Sequence, residues 1–201
     1  MSTLYSIHAL LYTTEKIRKI PTKSGIVPIN PKVDRDDAEE LRWRRVMNDL
    51  IKETLETSGD EVSIFRMLDD EERRKVADCF ELIKCPSGSI YLKEGGKVSN
   101  IGIVASGKLR FERHNHITGR PMLLAVLEKG AHVGDFSMMS ERMAMGQVRA
   151  IEDTELLVTS HSKLDAFMQK YPYTGIKILK GISTVLSIRL QSAIDKVMIL
   201  S

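Results

Sequence analysis

The chain has 201 residues, enough for one domain with an extension or for two small domains. Hydrophobic residues make up 42% and charged residues 28%, which is typical of a soluble globular protein, and no apolar run approaches the roughly 18 residues of a membrane span. The net charge of +3 is too small to indicate nucleic-acid binding without a concentrated basic face, and the sequence contains none. The N-terminus lacks the pattern of a secretory signal, so we expect a cytoplasmic location.

Residues 1–33 predict an extended arm, because Pro21, Pro28 and Pro31 interrupt any long regular element. Leu4 and its apolar neighbours would share one face of a short helix. The arm therefore either docks on a partner or on its own domain, or it is a frayed terminus. Nothing in the sequence selects between these readings.

A helical segment is predicted next, over residues 34–62. Asp36 and Glu39 resemble a capping box, and apolar residues follow at helical spacing, so we expect a helix over residues 36–57. A second helix is signalled by Asp69 and the acidic residues after it, which favour the positive end of the helix dipole. We expect this helix to face inward through Val76, Phe80 and Leu82.

From residue 83 to residue 159 the sequence pattern changes to short apolar or β-branched runs that are separated by turn signals. This spacing indicates an antiparallel barrel or jelly roll. The predicted strands are residues 89–93, 101–105, 108–115, 121–127, 147–151 and 155–159. The predicted fold class is therefore α+β, a β jelly-roll barrel with N-terminal helices and a long C-terminal helix.

Two cysteines, Cys79 and Cys85, lie in a chain without a secretory signal, so we expect buried, reduced thiols. Four histidines, His114, His116, His132 and His161, are scattered without a further ligand at metal-site spacing, and we predict no metal site. The sequence has no nucleophile elbow, Walker loop or paired catalytic carboxylates. We therefore expect no catalytic residues and no enzymatic activity.

The stretch 127–150 has the pattern of a ligand-binding loop. Gly130 and Gly134 punctuate it, Asp135 follows the second glycine, and residues 137–141 are suited to a short helical turn whose free N–H groups would face an anion. The alternative is a surface loop with two ordinary turns. Taken alone, the stretch does not decide between them.

Several motifs occur together and in order across this region: a Pro-x-Gly turn at 86–88, Glu94-Gly95, Ser106-Gly107, the glycine-acid run at 130–135, and the strand start at 152–157. In this combination, residues 63–195 resemble a cyclic nucleotide-binding domain of the bacterial catabolite-activator type. The resemblance implies one domain over residues 63–201, with a phosphate-binding cassette and a C-terminal helix at about 174–200 that caps the ligand and dimerises.

In that family the acid after the glycine binds the ribose 2′-hydroxyl, backbone N–H groups bind the phosphate, and an arginine later in the cassette neutralises it. Carried over, the resemblance implies ligand binding by Gly134, Asp135, Phe136 and Ser137. Aspartate here replaces the usual glutamate, which shortens that arm by one methylene.

The arginine is missing. Ala144 occupies its position, or Met145 if the register shifts by one residue, and Arg142 is a nearby substitute. Arg149 is predicted to point away, because it alternates with Val148 along a strand. The implied ligand is cAMP or cGMP, with no other cofactor. Loss of a charged hydrogen bond predicts an affinity lower by about one to two orders of magnitude.

Methionines crowd the cassette, at positions 138, 139, 143 and 145. They predict adaptable core packing. The alternative is a pocket or surface that has lost its phosphate and now holds an apolar group or a partner side chain.

The C-terminal segment carries an amphipathic stripe formed by Leu179, Ile182, Leu186, Leu190, Ile194 and Val197. The stripe predicts either a homodimer or packing on the chain's own barrel. Because the sequence stops at Ser201, we expect no helix-turn-helix and no DNA binding, and output through a protein partner.

The sequence thus predicts a non-enzymatic regulatory module that senses a cyclic nucleotide weakly or in altered form and signals through its C-terminal helix or N-terminal arm. The alternative is a degenerate fold that no longer binds cAMP or cGMP and serves as a protein-interaction scaffold.

Overall fold

The structure is a computed structural model that describes residues 27–28, 63–115, 117–134 and 143–199. The predicted helix at 36–57 and most of the predicted arm lie outside these residues. Within them, the helices are α1 (Asp70–Ala77), α2 (His161–Lys170) and α3 (Pro172–Ile199), and the strands are β1 (Val27–Pro28), β2 (Glu81–Cys85), β3 (Ile90–Leu92), β4 (Asn100–Ser106), β5 (Leu109–His114), β6 (Pro121–Leu127), β7 (His132–Val133), β8 (Gln147–Ala150) and β9 (Thr154–Ser160).

The strands form two antiparallel sheets. The first sheet has the order β1-β2-β9-β4-β7 and the second has the order β3-β8-β5-β6. Neighbouring strands are mostly distant in sequence, as a jelly roll requires, and the predicted fold class is confirmed. The part of the arm that is described, β1, adds to the edge of the first sheet, where Val27 is opposite Lys84 and Pro28 is opposite Ile83.

Strand β4 explains how the two cores are arranged, because both of its faces are buried. Ile101 and Ile103 pack in an apolar cluster between the first sheet and the helices. Val104 points the other way, into a second cluster between the two sheets. A strand buried on both faces loses polar alternation, which accounts for the nearly continuous apolar run at this position.

Helix α1 is shorter than predicted. Its start is as expected: Asp69 Oδ1 accepts a hydrogen bond from the Glu72 backbone, and Glu72 Oε2 accepts one from the Asp69 backbone. The helix ends at Ala77, however, and Leu82, predicted to continue its inner face, lies in β2 opposite Leu157 of β9. Pairing with a strand far along the chain overrides the local helical spacing.

Helix α1 is tied to the start of α3 through the same carboxylate. Glu72 accepts hydrogen bonds from Lys177 Nζ at 2.6 Å and from Thr174 Oγ1 at 3.1 Å. Burial by itself would raise the pKa of Glu72, but the hydrogen bonds from Lys177, the Asp69 backbone and Thr174 together hold it below its usual value. The acid therefore stays charged and links the two helices.

Glycine permits helix α3 to lie against the segment before α1. A Cβ on Gly181 would collide with the backbone carbonyl of Ile64, so only a residue without a side chain allows this approach. On the same helix, Ile178, Ile182 and Val185 are at most 2% exposed and belong to the cluster beneath. The first half of α3 is thus a fixed part of the core.

The cysteine prediction is confirmed. Cys79 and Cys85 are both free thiols and both buried. Burial raises the pKa of the Cys85 thiol to about 12. Among the helices in the described ranges, none is both long enough and apolar enough to cross a membrane.

Candidate functional site

The predicted cassette begins where β7 leaves the first sheet. In that strand, His132 is opposite Ile103 and Val133 is opposite Gly102 of β4. Gly134 follows with φ of 84°, and a Cβ there would collide with the backbone carbonyl of Asn100, so the position requires glycine. The predicted site residues Asp135, Phe136, Ser137 and Arg142 lie outside the described residues.

The far end of the cassette is held by a pair of reciprocal backbone hydrogen bonds. Ala144 N donates to Gly96 O and Gly95 N donates to Ala144 O, each at 2.9 Å. Ala144 is buried, and it places an uncharged methyl where the family arginine is expected. The turn at Glu94-Gly95, one of the motifs behind the resemblance, therefore holds the far end of the cassette in place.

The two described cassette methionines are not core residues. Met143 is 58% exposed and Met145 is 49% exposed, and neither belongs to either apolar cluster. For these two positions the expectation of core packing is wrong, because both side chains face solvent at the far end of the cassette. Met138 and Met139 lie outside the described residues.

Arg149 points away from the barrel interior, as strand alternation predicts. Val148 beside it is buried between the sheets, whereas Arg149 Nη1 donates to Gly88 O at 2.7 Å. Its Nε lies 3.8 Å from the carboxylate of Glu112, which is buried and also accepts a hydrogen bond from Gln147 Nε2 at 2.7 Å. Arg149 is therefore committed to the outer face of the second sheet.

Two helices contact the strand that leads into the cassette. His161, the first residue of α2, forms a hydrogen bond with the Gly134 backbone. Burial lowers the pKa of His161, and the Gly134 contact opposes part of that effect. Arg189 of α3 donates from Nη2 to the His132 carbonyl at 3.3 Å. Both contacts lie within two residues of the glycine that opens the cassette.

His132 is buried beneath helix α3, with only 2% of its surface exposed. Its Nδ1 is buried and has no hydrogen-bond partner within the described ranges. Burial lowers the pKa of His132 to about 3, and the nearby charge of Arg189 acts in the same direction. The imidazole is therefore neutral at any physiological pH.

Sequence reasoning did not identify His132, His161 or Arg189 as parts of this site. In the sequence the histidines were considered only as possible metal ligands. No group of potential metal ligands forms among the residues that the structure describes. Arg189 had a weak signal, since it is a charge beside an apolar stripe. Only the fold brings these residues, far apart in sequence, to one strand.

Helix α3 has two apolar faces rather than the single predicted stripe. Ile178, Ile182 and Val185 cover the barrel, so Ile182 does not belong with the exposed residues. Leu186 is half-buried and packs against the same cluster. The second face is exposed and consists of Ile176, Leu179, Leu190, Ile194 and Val197. With about 100° between successive residues, the two faces lie roughly 120° apart around the helix.

Comparison with known proteins agrees with this architecture. Residues 82–171 match the family model described as "Cyclic nucleotide-binding domain". Among curated relatives, the cGMP-dependent protein kinase 2 of Mus musculus is 24% identical over 117 residues, covering 55% of this chain and 15% of the kinase. The cyclic AMP receptor protein of Thermus thermophilus is 28% identical over 130 residues, covering 65% of this chain and 58% of that protein.

Solved structures share the fold. A cyclic nucleotide-binding domain from Methylobacillus flagellatus superposes with a TM-score of 0.69 at 16% identity, covering 88% of this chain and 89% of its own. The catabolite activator protein of Thermus thermophilus gives 0.61 at 28% identity, covering 68% and 62%. The regulatory subunit of a cAMP-independent protein kinase A from Trypanosoma brucei gives 0.57 at 15% identity, covering 73% and 52%.

The family match runs from β2 to α2 and includes the cassette, whereas this chain covers only 15% of the kinase's length. The comparisons therefore identify a domain rather than a whole-protein activity. The order of the motifs, the two sheets and helix α3 beside the cassette agree with this identification of the domain. Residues 82–171 thus match the cyclic nucleotide-binding domain family in sequence, and the chain shares the fold of solved domains of that kind.

Proposed function

We propose that this protein is a non-enzymatic regulatory module in which a cyclic nucleotide, cAMP or cGMP, binds at the cassette that opens at Gly134 and changes the position of helix α3. The observation that carries the proposal is the pair of helix contacts at the start of the cassette. His161 of α2 forms a hydrogen bond with the Gly134 backbone, and Arg189 of α3 donates a hydrogen bond to the His132 carbonyl. A ligand that moves this strand acts directly on both helices.

The cassette supports binding that is weak for the family. Both of its described ends are held in place, because Gly134 is pressed against Asn100 and Ala144 is paired with the turn at Gly95. Its charge is reduced, because position 144 is an alanine. We expect ligand contacts from Asp135, Phe136 and Ser137, with affinity lower than a complete cassette by about one to two orders of magnitude.

The second apolar face of α3 supports a homodimer. Leu190 and Val197 are 63% and 65% exposed, and they continue the three-four spacing of Ile176 and Leu179 beyond the part of the helix that covers the barrel. Such a stripe is typical of a helix that packs on another helix. A second copy of α3 offers the same stripe, and a two-fold pair would bury both.

The dimer is tested by sedimentation of the full chain. We expect Leu190→Glu to convert a dimer to a monomer, because a charge on the stripe would be buried without a partner. Ser192→Glu, exposed and on the opposite side of the same helix, is the matched control and should leave the dimer intact. A wild-type chain that sediments as a monomer at all concentrations would count against this part of the proposal.

An alternative function rests on the altered charge and surface of the cassette. Ala144 supplies no cation, and Met143 and Met145 are about half exposed beside it. Exposed methionines suit an adaptable protein-binding surface. In this alternative the fold no longer binds cAMP or cGMP and serves as an interaction scaffold.

Calorimetric titration of the full chain with cAMP and with cGMP separates the two. The proposed function predicts saturable heat with at least one nucleotide, lost in Asp135→Ala and retained in Asp165→Ala, which removes an exposed carboxylate on α2. No heat and no thermal shift with either nucleotide at millimolar concentration would reject it. That result, with a co-purifying protein partner, would favour the scaffold.

A further inference from the structure

An anionic ligand at the cassette needs a positive charge that the described end of the cassette does not supply. Ala144 is buried, and its two backbone hydrogen bonds to Gly95 and Gly96 hold its register. A shift that brought a neighbour into the same place would break both bonds. Met145, the neighbour that follows, is itself uncharged.

Arg149 does not supply the charge either. Its guanidinium lies on the outer face of the second sheet, with Nη1 on Gly88 O and Nε facing the Glu112 carboxylate. Moving it inward would break the hydrogen bond to Gly88 and remove one of two arginines from the buried Glu112 carboxylate, leaving Arg110, whose Nε lies 3.2 Å from it. The strand's alternation opposes the move as well, because Val148 already occupies the inner face.

Arg189 is brought to the cassette by tertiary structure. It lies on α3, 57 residues along the chain from the strand that it contacts, and its Nη2 donates to the His132 carbonyl at 3.3 Å. A guanidinium carries its charge on a planar group with five N–H donors, which suits it to binding an anion. The contact is two residues from Gly134.

A second, independent observation lies at the same place. The His132 side chain is 2% exposed, and its Nδ1 has no hydrogen-bond partner among the described residues. Buried polar atoms almost always have a partner, so an orphan of this kind points to a missing group. A bound molecule with a hydrogen-bonding group at this point would supply one.

We propose that Arg189 of helix α3 provides the positive charge for an anionic ligand of the phosphodiester class, in place of the cassette arginine that Ala144 replaces. The inference rests on the proposed function and adds a ligand-binding residue to it. It also makes the ligand's charge act on the helix itself, because Arg189 precedes Leu190 of the exposed stripe. Binding would then pull on the dimer helix directly rather than through the barrel.

The test is titration of four full-length proteins with cAMP and cGMP: wild type, Arg189→Gln, Arg189→Lys and Lys180→Gln. Lys180 is an exposed cation on the same helix, so its variant loses the same charge without touching β7. We expect Arg189→Gln to lower nucleotide affinity by about 10- to 100-fold, the range for loss of a charged hydrogen bond. Arg189→Lys should retain part of the affinity, and Lys180→Gln should match wild type.

Adenosine and guanosine, which lack the phosphate, distinguish a charge effect from a structural one. We expect Arg189→Gln to leave their binding unchanged while the loss for the cyclic nucleotides shrinks at high ionic strength. Equal weakening of nucleosides and nucleotides would overturn the proposal, as would an Arg189→Gln protein that binds like Lys180→Gln. Both results leave the proposed function standing, whereas a wild type that binds neither nucleotide rejects that function and this inference together.

Discussion

Lowering the pH from about 7.5 to about 5 should destabilise the fold through His132. Burial lowers the pKa of His132 to about 3, whereas an unfolded histidine titrates near pH 6.5. Below pH 6.5 the unfolded state therefore binds a proton at this histidine that the folded state does not bind. The stability is fully present above pH 6.5 and is lost progressively as the pH falls toward 3.

The magnitude follows from the two pKa values. Each pH unit inside this window costs about 1.4 kcal/mol, so the change from about pH 7.5 to about pH 5 should lower the free energy of unfolding by about 2 kcal/mol. The carboxylates of Glu72 and Glu94, whose pKa values are lowered, lose their stabilising effect only at more acidic pH. His161 acts in the same direction as His132, because burial also lowers its pKa.

The assay is urea unfolding of the full chain, followed by circular dichroism at a series of pH values. His132→Leu removes the titrating group and keeps the backbone carbonyl that Arg189 contacts, so its stability should depend much less on pH in this window. Val133→Ala, at the buried and non-titrating neighbour of His132 in β7, is the control for loss of packing and should keep the wild-type dependence on pH. A His132→Leu protein with the wild-type slope between about pH 7.5 and about pH 5 would refute the reasoning.

Three further predictions concern the helices and a buried thiol. Gly181→Ala should lower the free energy of unfolding by about 1–3 kcal/mol despite alanine's better helix propensity, because the new Cβ has no room, whereas Ser183→Ala on the exposed side should be neutral or slightly stabilising in the same urea assay. Glu72→Gln should cost about 1 kcal/mol, and a double-mutant cycle with Lys177→Met should show that most of this cost is shared; additive effects would mean that the 2.6 Å ion pair contributes nothing. Cys85 should resist a thiol reagent in the native protein and react in urea, since its pKa is raised to about 12; fast native labelling would contradict the burial.

The order of motifs along the chain was enough to predict the jelly roll, because turns and alternating strands are local patterns. Residues 121–127, for example, were predicted as a strand with the bounds that β6 has. The same local logic gave the capped start of α1 at Asp69. It failed at β2 and β7, whose identity depends on partners more than 20 residues away, namely β9 and β4.

The frame of the candidate site was also readable from the sequence, since Gly134 and the alanine at 144 are matters of residue identity and spacing. What only the tertiary structure decided is which groups surround that frame. His161, His132 and Arg189 come from a helix start, a two-residue strand and the middle of a long helix, and no periodicity relates them. The division of α3 into a barrel face and an exposed face was likewise undetermined, because a helical repeat records that residues are apolar but not which surface covers them.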